Sequence, residues 1–214
     1  MKRVLITLGP TRESIDDIRF ISNASSGRMG LALAAEGLHR GYEATLVSGP
    51  IGLPYPENAE IIKVHTAEEM INSTMDALGR NEHTLLISTA AIADYKPKRK
   101  NSGKIKSGRT ELTIELEPTP KLTATVRKKF PDIAIVGFKA EYEVQTEELV
   151  KRAKKKLVDE RLDMIIGNDI SKNPMGEIEN QVYIIKKDGE TTCSAKKSKT
   201  EIASIIWDEI EKNG

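Results

Sequence analysis

The stretch SNASSGRMG, residues 22–30, stands between a strand-like run and a helical pattern, and this order of elements decides the fold. Before it, Val4–Leu8 is a short run of β-branched and aliphatic residues, typical of a buried strand. After it, apolar side chains recur at helical spacing from Leu31 to Leu38. A strand followed by such a helix begins a βαβ unit, so the chain is expected to build a parallel sheet.

The same alternation of short strands and amphipathic helices continues along the chain. It predicts an α/β, Rossmann-like fold, with a mostly parallel central sheet flanked by helices. We find no internal repeat and no linker, so residues 1–214 are expected to form a single domain. The predicted strands are Val4–Leu8, Glu43–Val47, Glu60–Val64, Thr84–Thr89, Ile133–Val136 and Met164–Gly167.

Several residues mark where helices should begin and end. Thr66 and Ser198 each open a capping box, in which a hydroxyl and a glutamate three residues later satisfy each other's backbone amides. Pro120 suits the first position of a helix, where no amide hydrogen is needed. Gly41 and Gly79 are expected to end the helices that precede them.

Two segments depart from the alternation, a basic loop and a hairpin. Residues 96–109 are basic, contain Pro97 and two glycines and lack apolar periodicity, which predicts a mobile surface flap. Alternating apolar residues over Glu111–Leu116 predict a strand after the flap. Two strand-like runs around a Gly-containing turn make Gln181–Ser194 a predicted β-hairpin extension.

Composition excludes several classes of protein. The formal net charge of +1 disfavours a nucleic-acid or membrane-surface partner, because polyanion binding needs clustered excess cation. Cys193 is the only cysteine, so an internal disulfide is impossible and a reducing compartment is expected. The first residues run into a strand with no apolar signal core, and no apolar run is long enough to span a bilayer. We therefore expect a cytoplasmic protein.

The stretch 22–30 has two interpretations from its residues alone. Ser25 or Ser26 can cap the following helix, and free amides at a helix start bind anions such as phosphate. Alternatively, Gly27 and Gly30 serve only to let the helix lie close to the sheet. Both interpretations remain open at this point.

Two nucleotide-binding motifs can be excluded. No Gly-x-Gly-x-x-Gly follows the first strand, and the second strand ends in Ser48-Gly49-Pro50 where a dinucleotide site needs an acid. Tyr183 and Lys187 have the spacing of a reductase pair but fall in a predicted strand and turn. The stretch 103–110 approaches a P-loop, with Arg109 in place of its lysine, yet it does not link a strand to a helix.

The basic flap and two single residues remain as candidates for a site. The flap is either a solvated lysine-rich loop or a cover that neutralises charge on a departing pyrophosphate. Asp94, after the small residues Ala90 and Ala91, follows a parallel strand at the sheet edge where open α/β folds bind ligands. Lys156 lies near the apolar stripe of its helix, so it either snorkels to water or points into a site.

Five blocks of sequence carry a resemblance to a known family: GPTRESIDDIRFISNASSGRMG, AAIADYKP, KIKS, VGFKAE and GNDIS, in that order. Together they resemble the phosphopantothenate–cysteine ligases, which form the second enzyme half of the bifunctional coenzyme A biosynthesis protein. The resemblance runs from Val4 to the final helix. It implies that 4′-phosphopantothenate attacks the α-phosphate of a nucleoside triphosphate, releasing pyrophosphate. The amine of L-cysteine then displaces the nucleoside monophosphate from the acyl nucleotide to form the amide.

The resemblance also implies roles for individual residues. Asn23 corresponds to the family asparagine that acts on the acyl-nucleotide intermediate and is expected to donate to the acyl carbonyl. Lys104 corresponds to the first lysine of the family flap and is expected to act on the triphosphate. The other implied positions are Arg19, Ser25, Ser26, Gly27, Gly30 and Ala91 for the acid substrate, and Ala90, Asp94, Lys106, Pro120, Lys121, Phe138 and Lys156 for the nucleotide.

Three departures from the family pattern bear on the choice of nucleotide. Ser107 replaces a third flap lysine, Lys121 replaces an acid, and Glu160 replaces a second helix lysine. CTP is the usual family nucleotide, and ATP stays open as an alternative. The resemblance further implies Mg²⁺ held mainly by triphosphate oxygens with Asp94 as a candidate ligand, a homodimer, and fusion to or association with a flavin-dependent phosphopantothenoylcysteine decarboxylase. The other functions considered are an NAD(P)-dependent reductase and a non-catalytic nucleotide-binding module.

Overall fold

The computed structural model describes residues 2–80, 82–108, 110–172 and 174–212. Five helices lie within these ranges: α1 (Arg28–His39), α2 (Ala67–Arg80), α3 (Leu122–Lys129), α4 (Thr146–Asp159) and α5 (Lys199–Glu211). The strands are β1 (Arg3–Leu8), β2 (Arg12–Ser14), β3 (Phe20–Ser22), β4 (Glu43–Ser48), β5 (Glu60–Lys63), β6 (Leu85–Ser88), β7 (Tyr95–Pro97), β8 (Leu116–Pro118), β9 (Ala134–Glu141), β10 (Met164–Asp169), β11 (Glu179–Asn180), β12 (Tyr183–Lys186), β13 (Thr191–Cys193) and β14 (Lys197–Ser198).

An eight-stranded sheet forms the centre, in the order β13-β12-β10-β9-β6-β1-β4-β5. The six strands from β10 to β5 pair in parallel, and β12 and β13 add an antiparallel hairpin at one edge. The predicted parallel sheet and hairpin extension are therefore confirmed. The chain builds outward from β1 to β5 and then returns to place β6 on the other side of β1. This reversal of strand order is where open α/β sheets leave a crevice.

Helices cover both faces of the sheet because side chains alternate along each buried strand. Ile6 of β1 faces α1 and α5, whereas the adjacent Leu5 faces the layer of α2, α3 and α4. Trp207 of α5 is fully buried in the first layer, and its indole N–H donates to the Leu33 carbonyl at 2.9 Å. No helix among the described residues is long and apolar enough to cross a membrane.

The predicted helix ends are partly confirmed. The capping boxes at Thr66 and Ser198 both form, and Gly41 follows the end of α1 with φ of +83°. Gly79, however, lies inside α2, which continues to Arg80. Pro120 precedes α3 by two residues, since the preceding Thr119 is held in extended chain by hydrogen bonds to the carbonyls of residues 93 and 94.

The predicted strand Glu111–Leu116 is wrong. Only Leu116 belongs to a strand, β8, which pairs with β7. Leu112 and Leu116 are 45% and 41% exposed, so their alternation has no buried face to stabilise it. The flap therefore begins within β7 and returns through irregular chain; its Arg109 lies outside the described residues.

Candidate active site

A cleft of about 420 Å³ lies at the carboxyl ends of the parallel strands, beside the reversal between β1 and β6. Segments that follow β3, β6, β8 and β10 line it, together with the last part of β9. Of the residues predicted for the site, the cleft is lined by Asn23, Ser25, Ser26, Gly27, Gly30, Ala90, Ala91, Asp94, Pro120, Lys121, Phe138 and Lys156.

The start of α1 forms one wall, but not with the predicted cap. Gly27, rather than Ser25 or Ser26, is the N-cap, with φ of +75° and no side-chain cap. A Cβ there would lie 2.8 Å from Ile51 Cγ2, so both backbone conformation and space favour glycine. The serine hydroxyls instead accept from the amides of Gly27 at 3.3 Å and Arg28 at 3.4 Å. A helix N-terminus with flanking hydroxyls facing a cleft suits an anion.

Gly30 supports the packing interpretation of the same stretch. A Cβ at this buried position would lie 2.6 Å from Thr89 Oγ1 and closer still to Leu8 Cβ. Helix α1 therefore lies directly against β1 and the end of β6. The two interpretations of residues 22–30 are thus compatible, because close packing is what brings the helix start to the cleft.

Asn23 joins this wall to the segment that follows β6. Its side-chain amide donates to the carbonyls of Ala91 and Ile92, both at 3.1 Å. Ala91 in turn forms a bridge with Pro10, which ties the segment to the end of β1. Asn23 is exposed at the cleft, and its two amide hydrogens are held by backbone in this arrangement.

Two ion pairs stand at the predicted nucleotide positions. Lys121 Nζ lies 2.5 Å from Asp94 Oδ1, and both side chains are more than half exposed. Lys156 Nζ lies 2.8 Å from Glu160 Oε1. The other carboxylate oxygen of Glu160, Oε2, accepts from the Thr123 hydroxyl. Two of the three departures from the family pattern, Lys121 and Glu160, are therefore ion-pair partners of expected site residues.

The site offers little protein ligation for a metal. Among the described residues, no group of three or more His, Cys, Asp or Glu side chains is placed to hold an ion. Asp94 is the one carboxylate among the described residues of the cleft wall, and Lys121 already occupies one of its oxygens. Such a donor set fits Mg²⁺ only when phosphate oxygens and water supply most ligands.

Arg19, Lys104 and Lys106 do not line the cleft. Lys104 and Lys106 are exposed on the flap, and Arg19 lies 3.2 Å from Asp16 Oδ2 and donates to the Ile105 carbonyl at 3.4 Å. These three predicted residues therefore lie outside the cleft lining, around the point where the flap meets the β2–β3 loop.

Several cleft residues lie outside the predicted set. Lys139 follows Phe138 at the end of β9, so the strand-end rule could have identified it. Asn168 is the penultimate residue of β10, so the same rule could have identified it. Lys199 arrives with α5 from a distant part of the chain, and no local pattern indicates it. Burial, together with the nearby Arg28, lowers the pKa of Lys199.

The charge of the cleft follows from these additions. The described residues of its wall include one carboxylate, that of Asp94, and a set of five cations: Arg28, Lys121, Lys139, Lys156 and Lys199. Cations concentrated in a cleft raise the local concentration of an anionic ligand. The fold and the cleft together define a Rossmann-like α/β protein with a site suited to a small polyanion.

Comparisons with known proteins identify the family. The sequence model described as DNA/pantothenate metabolism flavoprotein C-terminal domain matches residues 1–213, and the chain belongs to this family. The chain is 41% identical over 212 residues to the coenzyme A biosynthesis bifunctional protein CoaBC of Thermococcus kodakarensis, covering 99% of this chain and 51% of that protein. It is 39% identical over 210 residues to the CoaBC of Methanocaldococcus jannaschii, covering 98% and 50% respectively.

A solved structure agrees with these relatives. The crystal structure of the C-terminal domain of CoaBC superposes with a TM-score of 0.82 at 35% identity, covering 99% of this chain and 94% of that one. The fold class and the resemblance to the ligase half of the bifunctional protein are confirmed. The chain spans about half the length of the curated relatives that it matches.

Proposed function

We propose that this chain joins 4′-phosphopantothenate to L-cysteine through an acyl-nucleotide intermediate. The observation that carries the proposal is the cleft at the reversal of strand order, which is lined by a helix N-terminus, one carboxylate and five cations, three of which pair with carboxylates. The proposal is further supported by the relatives, which are bifunctional coenzyme A biosynthesis proteins whose second half this chain matches. A substrate phosphate and a triphosphate both demand such an electropositive site.

The first step activates the carboxylate of phosphopantothenate. A carboxylate oxygen attacks the α-phosphorus of the triphosphate, the bond to the bridging oxygen breaks, and pyrophosphate leaves with the electron pair. Lys121 and Lys156 stand at the cleft to neutralise the triphosphate, and Ala90, Asp94, Pro120 and Phe138 form the proposed nucleotide side. Lys106, on the flap outside the cleft lining, is proposed to join them. Lys104 neutralises the departing pyrophosphate when the flap covers the cleft, which stabilises the transition state.

The second step forms the amide. The cysteine amine attacks the acyl carbon, the nucleoside monophosphate leaves, and the amine loses a proton. Asn23 is the group proposed to donate to the acyl oxygen as charge develops there, which requires its amide to release one of the carbonyls of residues 91 and 92. Ser25, Ser26, Gly27, Gly30, Ala91 and Arg19 are the proposed acid-substrate side.

The remaining parts of the proposal concern cofactor, nucleotide and assembly. Asp94 is the residue that would hold Mg²⁺, which would supply neutralisation of the triphosphate charge. CTP is the proposed nucleotide, with ATP as the alternative. We further propose that residues 1–214 act as one domain in a cytoplasmic homodimer, joined to or associated with the flavin-dependent decarboxylase.

The test supplies 4′-phosphopantothenate, L-cysteine and Mg²⁺ with CTP or ATP in turn and measures pyrophosphate and nucleoside monophosphate. We expect pyrophosphate with one triphosphate and amide only when cysteine is present. Absence of both products with every triphosphate would refute the ligase. Oxidation of a reduced nicotinamide would instead indicate a reductase, and nucleotide affinity without turnover a binding module.

A matched pair of variants on α4 tests the site itself. Lys156→Ala should raise the KM for the triphosphate about 10-fold or more, the usual effect of losing a charged hydrogen bond. Lys155→Ala removes the neighbouring lysine, which is exposed and pairs with Asp159 at 2.9 Å, so its KM should be unchanged. Equal KM values for the two variants would contradict the proposed nucleotide site.

A further inference from the structure

Asp16 is a buried carboxylate in the loop between β2 and β3, and its two oxygens serve different partners. Oδ1 accepts from the amides of Ile18 at 2.8 Å and Arg19 at 2.7 Å, which shape the local turn. Oδ2 accepts from Arg19 Nη1 at 3.2 Å and from the amide of Ile105 at 3.1 Å. The side chain of Asp16 has no exposed surface, so these donors replace its hydration.

The charge state of Asp16 follows from these contacts. The amide of Arg19 is the largest influence, and with the amides of Ile18 and Ile105 it outweighs burial and lowers the pKa of Asp16. The carboxylate is therefore ionised at neutral pH. An ionised carboxylate can accept from all four donors, whereas a neutral amide of the same shape would set N–H groups against N–H groups.

The next residue extends the contact along the flap. Asp17 Oδ2 accepts from the amide of Gly103 at 2.7 Å, and its Oδ1 lies 2.8 Å from Lys100 Nζ. The amide of Asn101 donates to the Ile15 carbonyl at 3.0 Å. Residues 100–105 are thus attached to residues 15–17 mainly through backbone groups, which makes the attachment independent of most flap side chains.

The attachment point lies between the two flap lysines. Ile105 is held by its amide on Asp16 and by its carbonyl on Arg19, while Lys104 and Lys106 on either side stay exposed. A local turn would need only Oδ1 of Asp16. Oδ2 instead accepts from the amide of Ile105, which is 89 positions away in sequence. This contact forms only because the flap packs against the β2–β3 loop.

We propose that Asp16 is a positioning residue for the reaction. It holds the backbone of the flap at Ile105, and this fixed point limits where Lys104 and Lys106 can approach the triphosphate. This inference rests on the proposed function. Asp16 lies outside the cleft lining and acts through the flap. A change of about 1 Å in the placement of a charged group is enough to slow a step substantially.

The first experiment measures the attachment without any reaction. Hydrogen exchange followed by mass spectrometry is compared for wild type, Asp16→Asn and Asp188→Asn in the peptide covering residues 99–106. Asp188 is a matched control, because its Oδ1 also accepts from a turn amide, that of Glu190 at 2.9 Å, in a hairpin far from the flap along the chain. We expect at least 10-fold faster exchange in Asp16→Asn only. Unchanged exchange would overturn the inference.

The second experiment measures the first chemical step. Pyrophosphate release in a single turnover without cysteine should fall about 10-fold or more in Asp16→Asn, with no change in Asp188→Asn. If Asp16 acts through the two flap lysines, adding Asp16→Asn to the double variant Lys104→Ala/Lys106→Ala should not slow the step further. If the factors by which the substitutions slow the step simply multiply, Asp16 affects the fold generally, and the inference is overturned.

Two further observations separate the possible failures. Asp17→Asn weakens the flap contacts without touching Arg19, so it should slow the same step by a smaller factor even if Asp16→Asn does not fold; an unaltered rate overturns the inference. Wild-type protein that releases no pyrophosphate refutes the proposed function. Wild-type protein that reacts, with an Asp16→Asn variant that reacts equally fast, refutes the positioning role alone.

Discussion

Replacing Gly30 by alanine tests whether close packing of α1 creates the cleft. The new methyl group would lie 2.6 Å from Thr89 Oγ1 and closer to Leu8 Cβ. Neither neighbour can move freely: Leu8 is fully buried in β1, and the Thr89 hydroxyl donates to the Thr7 carbonyl at 2.8 Å. The helix start must therefore move away from the sheet, and the cleft wall moves with it.

The expected change in the free energy of unfolding is the sum of two opposing contributions. An added methyl in a packed core typically costs about 1–3 kcal/mol. Alanine in place of glycine within a helix returns about 0.5–1 kcal/mol. Gly79→Ala isolates the second term, because Gly79 lies in α2 with no heavy atom within 4 Å of its added Cβ. The two variants should thus differ by the packing cost alone.

Urea unfolding followed by circular dichroism measures both variants. Gly79→Ala should be as stable as wild type or up to about 1 kcal/mol more stable. Gly30→Ala should be about 1–3 kcal/mol less stable than Gly79→Ala, which corresponds to about 2–4 °C in Tm per kcal/mol for a chain of this size. Equal stability of the two variants would refute the close-packing argument. Unaltered affinity for 4′-phosphopantothenate in a destabilised Gly30→Ala would refute the link to the site.

Three other changes have defined outcomes. Asn23→Ala should let acyl nucleotide accumulate in quenched-flow samples while amide formation slows about 10²–10³-fold; an unchanged second step would remove Asn23 from it. Trp207→Phe should lower the free energy of unfolding by about 1–3 kcal/mol in urea titrations, because it loses buried volume and the hydrogen bond to the Leu33 carbonyl; a variant as stable as wild type would contradict this. Burial would raise the pKa of Asp163, but hydrogen bonds, chiefly from Lys187, lower it below its ordinary value. The ionised carboxylate therefore stabilises the folded protein above the unfolded pKa of about 4, and this contribution is lost as the pH falls through the folded pKa. Asp163→Asn should therefore reduce stability at pH 7 and flatten the acid decline of the urea midpoint below pH 4, whereas parallel pH profiles would exclude this contribution.

Much of the fold is visible in local patterns. Six predicted strands correspond to the parallel part of the sheet, since buried strands need continuous apolar runs and such runs are evident in one sequence. The capping boxes at Thr66 and Ser198 form because both partners lie within four residues. The motif blocks were specific enough to indicate the family.

The errors share a physical origin. Alternation over residues 111–116 looked like a strand, but no neighbouring surface buries its apolar side. Ser25 and Ser26 looked like helix caps, but the fit of Gly27 against Ile51 moved the helix start. Pro120 fell short of α3 because Thr119 is tied to a distant segment. Each error occurs where a contact distant in sequence outweighs local preference.

The site shows most clearly which features follow from local sequence and which follow from tertiary packing. The order of strands and helices, the hairpin and the candidate residues at strand ends all follow from periodicity, turn chemistry and short motifs, which act within a few residues. Which charges meet follows from packing: Lys199 reaches the cleft because α5 docks beside α1, Lys121 pairs with Asp94, and Asp16 meets Ile105. Such contacts depend on how distant elements pack, and no local pattern encodes the distance between two side chains.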